Sequence, residues 1–150
     1  MDSAQDTQEH ISKVQARLQK VCSRLTIRSA HHDESKLWEP EKSILDAKAH
    51  ALAELRYGTP EYAAAMDSVD MQPFLAHHYA HNSHHPQHYS DGIAGMSLLD
   101  IIEMLCDWAA AGERTKEGSI AASLEHNKER FKIDDQLYAV LAYTVREVGW

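Results

Sequence analysis

Two cysteines in 150 residues, Cys22 and Cys106, are too few for a disulfide framework. Both lie in apolar stretches with helical spacing, so buried free thiols are expected. Basic residues are also in deficit: 15 Lys and Arg stand against 23 Asp and Glu, a formal charge of −8. That balance argues against binding extended nucleic acid through a broad basic face. It leaves room for a small nucleotide held by a metal ion, because the ion supplies positive charge locally. No long hydrophobic run is present. The longest, residues 93 to 111, is interrupted by Asp100, Glu103 and Asp107, and no membrane span is expected. The opening residues MDSAQDTQEH lack the basic and apolar regions of a secretory signal. A cytoplasmic, reducing setting is the expectation. Alternating strand patterns, internal repeats and low-complexity tracts are missing as well.

What is there is helical periodicity. Ile11, Val14, Leu18, Cys22 and Leu25 form a stripe at three- and four-residue steps over residues 5 to 25. Pro40 suits the first turn of a helix running to about Tyr57, which Gly58 ends. Thr59-Pro60 repeats that start signal for a helix reaching about Asn82, with a bend near Pro73. Residues 82 to 95, with Pro86, Gly92 and Gly95, read as loop. Ser97 and Asp100 form a capping box for a helix that Gly112 closes. This helix is apolar on nearly every side and is expected to be central. Helices over 116 to 129 and 134 to 148 complete the chain, the last burying Leu137, Val140, Leu141, Tyr143 or Thr144, and Val148. The fold class is all-α, a single-domain bundle of five to seven helices. A chain of this length buries about two thirds of its unfolded surface.

Residues 77 to 88 read HHYAHNSHHPQH and hold six of the eleven histidines. Histidine is the commonest metal ligand, and mixed His and carboxylate sites suit divalent ions. His77 and His78 point about 100° apart on a helix. His78 is favoured because it shares a face with Phe74, Leu75 and Asn82, while His84 and His85 fall on the loop. His50, His81, His88 and His126 read as surface residues. Glu103 and Asp107, four apart, share one face of the apolar helix, where buried carboxylates call for a partner or an ion. Asp107 is a candidate ligand against the alternative of a buried ion pair. Glu103 reads as a group orienting a ligand histidine, and Asp100 as the capping acid. His32-Asp33 precedes Glu34-Ser35-Lys36; there Asp33 either ligates or caps a turn, and Lys36 offers a point charge to a phosphate. His10 lies beside the first stripe. The eight residues leading to His32 span about 26 Å if extended, so His10 reaches His32 unless residues 25 to 32 are helical.

In order, His10, His32-Asp33, His78, His84-His85 and Asp107 resemble the H…HD…D metal site of the HD-domain phosphohydrolases, an all-α superfamily. The string HDESK resembles its HDxxK form. More narrowly, the chain resembles a small uncharacterised family of bacterial and phage proteins. That family is marked by HxxxV, HDxSK, NxHHxxxY and EMxxDW, read here at His10–Val14, His32–Lys36, Asn82–Tyr89 and Glu103–Trp108. The resemblance implies one ion held by His10, His32, Asp33 and Asp107, and a second by His78 with His84 or His85, bridged through Asp33. It leaves Mn, Co, Ni, Mg, Zn or Fe open. Where some relatives carry an acidic base three positions after the HD aspartate, this chain has Lys36; Glu34 or Glu41 can substitute, or no separate base is needed. The expected activity is hydrolysis of a small phosphorylated substrate of nucleotide type, with Lys36, Glu34 and His85 in the chemistry and Glu103, Asn82 and Glu41 supporting the ligands. A di-iron oxygenase of HD type and a non-enzymatic, metal-stabilised accessory protein are the rival readings; a homodimer is compatible with each. Trp38, Tyr89 and Trp108 could stack on a substrate ring, although core packing accounts for both tryptophans.

Overall fold

A computed structural model describes residues 3–55, 59–114 and 118–150. Among them the regular structure is helical throughout, with seven α-helices, short 3-10 turns and no strand. The all-α expectation holds. The chain divides into two compact units, Met1–His32 and Asp33–Trp150.

The first unit is one helix, α1, Ser3–His31. It outruns the expected end near residue 25 because no Gly or Pro occurs before Pro40 to stop it. None of its residues is buried; Ile11, Val14, Leu18 and Val21 are exposed. Cys22 is exposed too, which corrects the buried-thiol expectation. The added turns also decide the case of His10. At 1.5 Å per residue, the continuous helix sets it about 30 Å along the axis from the His31 end. The extended connection that would have let His10 meet His32 does not exist, and His10 leaves the ligand set.

The second unit opens with a 3-10 turn, Glu34–Leu37, and α2, Glu41–Ala53, with Pro40 at its N-cap. The expected end at Tyr57 and Gly58 lies outside the described residues. Thr59 caps α3, Pro60–Met66, by accepting from the Tyr62 backbone N–H. The single helix expected from here to Asn82 is two. A break at Asp67 and Ser68 and a 3-10 turn, Val69–Met71, precede α4, Gln72–His81. Pro73 sits in the first turn of α4 rather than at a bend, where its missing N–H costs nothing.

After the 82–97 segment come α5, Leu98–Gly112, α6, Ile120–Phe131, and α7, Asp135–Val148. Ser119 and Asp134 cap the last two; the expected start of α6 at 116 falls on residues outside the description. These three helices enclose the apolar core: Met104, Leu105, Trp108, Ala109, Ile120, Leu124, Ile133, Leu141 and Val145. Burying one large apolar side chain of this kind contributes about 1.5–3 kcal/mol. The faces differ from expectation in two places. α5 is not apolar-buried all round, since Leu98 and Cys106 are exposed. In α7 the buried face is Leu141 and Val145, one turn apart, while Val140, Tyr143 and Val148 face outward. No described helix is long and apolar enough to cross a membrane.

Candidate metal centre

Asp33 introduces the site from a left-handed backbone conformation, φ 56° and ψ 17°, which aspartate adopts more readily than most residues. The turn that follows places Lys36 so that its ammonium pairs with Asp33 Oδ2. The other carboxylate oxygen, Oδ1, lies 3.5 Å from His78 Nε2 and 3.5 Å from His84 Nε2. His78 Nε2 in turn is 2.9 Å from His85 Nε2. One donor atom from each of Asp33, His78, His84 and His85 therefore falls in a group whose members all lie within 4.8 Å of one another.

The histidines reach this point from two kinds of backbone. His78 is on the last turn of α4, buried and stacked on Phe74 one turn earlier (centroids 5.3 Å apart, planes 8° apart). That is the face that set it apart from His77. α4 ends at His81 because Asn82 turns extended, with its side-chain amide donating back to the His78 carbonyl at 2.8 Å. His84 and His85 follow in the resulting turn, as expected of the loop, with ring centroids 4.1 Å apart. His84 is almost fully enclosed, at 1% exposure.

Buried polar groups surround these rings. Glu41, at the start of α2, is wholly inaccessible and bridges His77 Nδ1 at 2.7 Å and His78 Nδ1 at 2.9 Å. The Asn82 amide also donates to Ser35 Oγ at 2.7 Å. From α5, Glu103 Oε1 lies 3.3 Å from His84 Nδ1. Asp107, one turn later and half-buried, exerts its charge on His85. Asp100 is the N3 acid of the capping box that Ser97 opens on α5, and it also accepts from Ser83 Oγ at 2.6 Å and Tyr89 Oη at 3.0 Å. It clamps the His84-bearing segment to α5 from outside the cluster.

Burial favours the neutral forms of His78 and His85. Burial pushes His78 below its ordinary value, helped by the Lys36 charge. Burial, then the neighbouring His84 and His78, bring His85 down to about 3. A neutral imidazole keeps a lone pair for an ion. Burial alone would raise Glu41, yet hydrogen bonds from His77 and Ser35 outweigh it and hold its carboxyl below the usual range. Burial would also raise Asp100, but the bonds from Ser83, Ser97 and Tyr89 keep it well below ordinary carboxylates.

Of the remaining candidates, Glu34 opens the 3-10 turn half-buried, and His32 closes the first unit immediately before Asp33 in the chain. His50, His81, His88 and His126 are exposed, as expected. Trp108 is core at 6% exposure, whereas Trp38 is 49% exposed, which corrects its assignment to the core. Sequence reasoning passes over Ser35, buried at 3%, and the engagement of His77. Neither has a local signal, because both depend on α2 lying against α4 and the 3-10 turn.

An all-α chain that gathers three histidines and an aspartate in this way belongs to no activity class by architecture alone. Residues 1–147 match a family of unknown function (DUF5662), and the chain belongs to that family. No curated protein and no solved structure matches it.

Proposed function

We propose that Asp33, His78, His84 and His85 hold a divalent metal ion, and that the protein is a metal-dependent phosphohydrolase acting on a small phosphate ester of nucleotide type. The observation that carries the reading is the convergence of one carboxylate oxygen and three imidazole nitrogens within 4.8 Å. Such a donor set suits a borderline divalent ion. The likeness of His32-Asp33…Asp107 to the HD-domain phosphohydrolases supports it independently, as does the stationing of Glu103 behind His84. When bound, an ion here would polarise a phosphoryl oxygen and acidify water.

The surrounding side chains would do the rest. Lys36, partly exposed beside Asp33, offers a compact positive charge to a phosphate oxygen. His85, neutral and assigned to the ion shell, has no proton to spare for a leaving alkoxide, which would take it from solvent, and Glu34 stands at the start of the same turn as Lys36. The exposed indole of Trp38, two residues past Lys36, is free of the core and could stack on a base. Asp107, through its charge on His85, joins the set as a further ligand or an orienting carboxylate.

One observation favours a second reading. Three histidines and an aspartate suffice to close a tetrahedral shell, the arrangement of structural ions that admit no substrate, and the protein would then be a metal-stabilised accessory protein. The two readings separate in one set of measurements. Elemental analysis of the purified protein and titration with Mn, Co, Ni, Zn and Fe should give about one or two bound ions per chain. Asp33→Ala and the near-isosteric Asp33→Asn should lose most of that binding. Nucleoside mono- and triphosphates should be hydrolysed only by the loaded wild type. Metal-independent turnover surviving in Asp33→Ala sinks the enzymatic reading; tight binding with no turnover and no exchangeable water favours the structural one.

A further inference from the structure

Glu41, the one fully inaccessible carboxylate among the described residues, touches no group of the proposed ion shell except through an imidazole. Its two oxygens are divided between adjacent residues of α4: Oε1 with His77 Nδ1 at 2.7 Å and Oε2 with His78 Nδ1 at 2.9 Å. Side chains at consecutive helical positions diverge by about 100°. A single carboxylate serves both because each ring offers the nitrogen nearer the backbone.

An ionised carboxylate only accepts hydrogen bonds. Both rings must then carry their proton on Nδ1, leaving Nε2 with a lone pair. On His78 that Nε2 is the atom 3.5 Å from Asp33 Oδ1 and 2.9 Å from His85 Nε2. The remaining neighbour of His78 Nδ1 does not oppose this. The Asn82 amide nitrogen is 3.1 Å away, but it has shorter contacts for its two hydrogens, Ser35 Oγ at 2.7 Å and the His78 carbonyl at 2.8 Å.

We propose that Glu41 is a positioning residue that locks His78 in the Nδ1–H tautomer and so aims a lone pair at the ion site, with His77 occupying the second oxygen. The role rests on the metal reading above, since ligation is what the lone pair serves. Carboxylates behind ligand histidines act in this way generally, and their loss costs about 10- to 100-fold in ion affinity. The arrangement is unusual in sharing one carboxylate between a ligand and a non-ligand ring, and that sharing makes it testable.

In Glu41→Gln the side chain keeps its shape but presents one acceptor and one donor. It can support the Nδ1–H tautomer of only one of the two rings. Co(II) or Zn(II) affinity should fall about 10- to 100-fold, while the ion-free unfolding midpoint moves little. In Glu41→Gln/His77→Ala the amide is released to turn its oxygen to His78, and affinity should recover to within a few fold of wild type. Long-range proton–nitrogen correlation spectra of the ion-free wild type provide a readout that needs no ion: His78 should show a protonated Nδ1 and a bare Nε2. Wild-type affinity in Glu41→Gln, failure of the double variant to recover, or a protonated Nε2 on His78 in the wild type would each overturn the positioning role and leave the metal reading standing. A wild type that binds no ion while showing the stated tautomer overturns the metal reading, and the role with it.

Discussion

Two interiors meet along α5, and they are built on opposite principles. Toward α6 and α7 the helix buries Met104, Leu105, Trp108 and Ala109 among aliphatic neighbours. Toward α2, α4 and the 82–97 segment the buried residues include Ser35, Glu41, His78, Asn82, His84 and Asp100. The first region gains stability from every square ångström removed from water. The second gains little that way, because each buried polar atom must recover its lost hydration through a bond. Nearly all of it is therefore organised as a network, with Glu41 between two histidines and Asp100 among two serines and a tyrosine. A region of this kind adds little cohesion for the polar groups it buries, and substitutions should report the difference.

The apolar interior should give the largest stability effect. Trp108, which stacks on Phe131 with planes 1° apart, leaves a large cavity when truncated. Trp108→Ala should cost about 3–5 kcal/mol in urea unfolding while any ion binding by the residual folded fraction persists. A loss under 1 kcal/mol would show that the helices do not pack as described.

The polar interior should answer to ions instead. At a free concentration of 100 times Kd, a bound ion stabilises by about 2.7 kcal/mol. Thermal unfolding of the wild type with and without Zn or Mn should show that rise, and Asp33→Ala should not. An equal rise in both proteins would place the ion elsewhere.

The third test sits at the border of the two regions. Asp100→Asn replaces an acceptor oxygen by a donor amide amid the hydroxyls of Ser83, Ser97 and Tyr89, and should cost about 1–3 kcal/mol. The sign with pH follows from the lowered acidity of Asp100 relative to the ordinary 3.8. Its contribution is fully present above about pH 4 and is lost as pH falls through and below that value, because only the unfolded chain has taken up the proton there. The wild type should therefore lose stability more steeply than Asp100→Asn in an acid titration followed by circular dichroism.

Much of this was legible in local chemistry. Caps written in adjacent residues, Thr59-Pro60 and Ser97…Asp100, formed where expected, because they depend on a few neighbouring atoms. His78 could be separated from His77 by the face it shares with Phe74, and Glu103 could be placed beside a histidine from its position on α5. The stripe traces α1 only to Leu25 and leaves residues 25 to 32 open, because the apolar spacing fades there while no Gly or Pro stops the helix before His31. Trp38 and the outer face of α7 differ from expectation because an aromatic or branched residue is core only when another element lies opposite it, which the local sequence does not specify. The bond from Glu41 to two histidines spans 36 and 37 residues of sequence, and no local pattern announces it.

The left-handed backbone at Asp33 narrows what can stand at that position. Glycine or asparagine would keep the chain reversal at little cost, and most other residues would strain it by about 1–2 kcal/mol. Only aspartate supplies the bend together with an anionic oxygen. Substitution by glycine or asparagine thus leaves a chain that still folds but has lost its anionic oxygen at the cluster, so charge is forfeited here before shape.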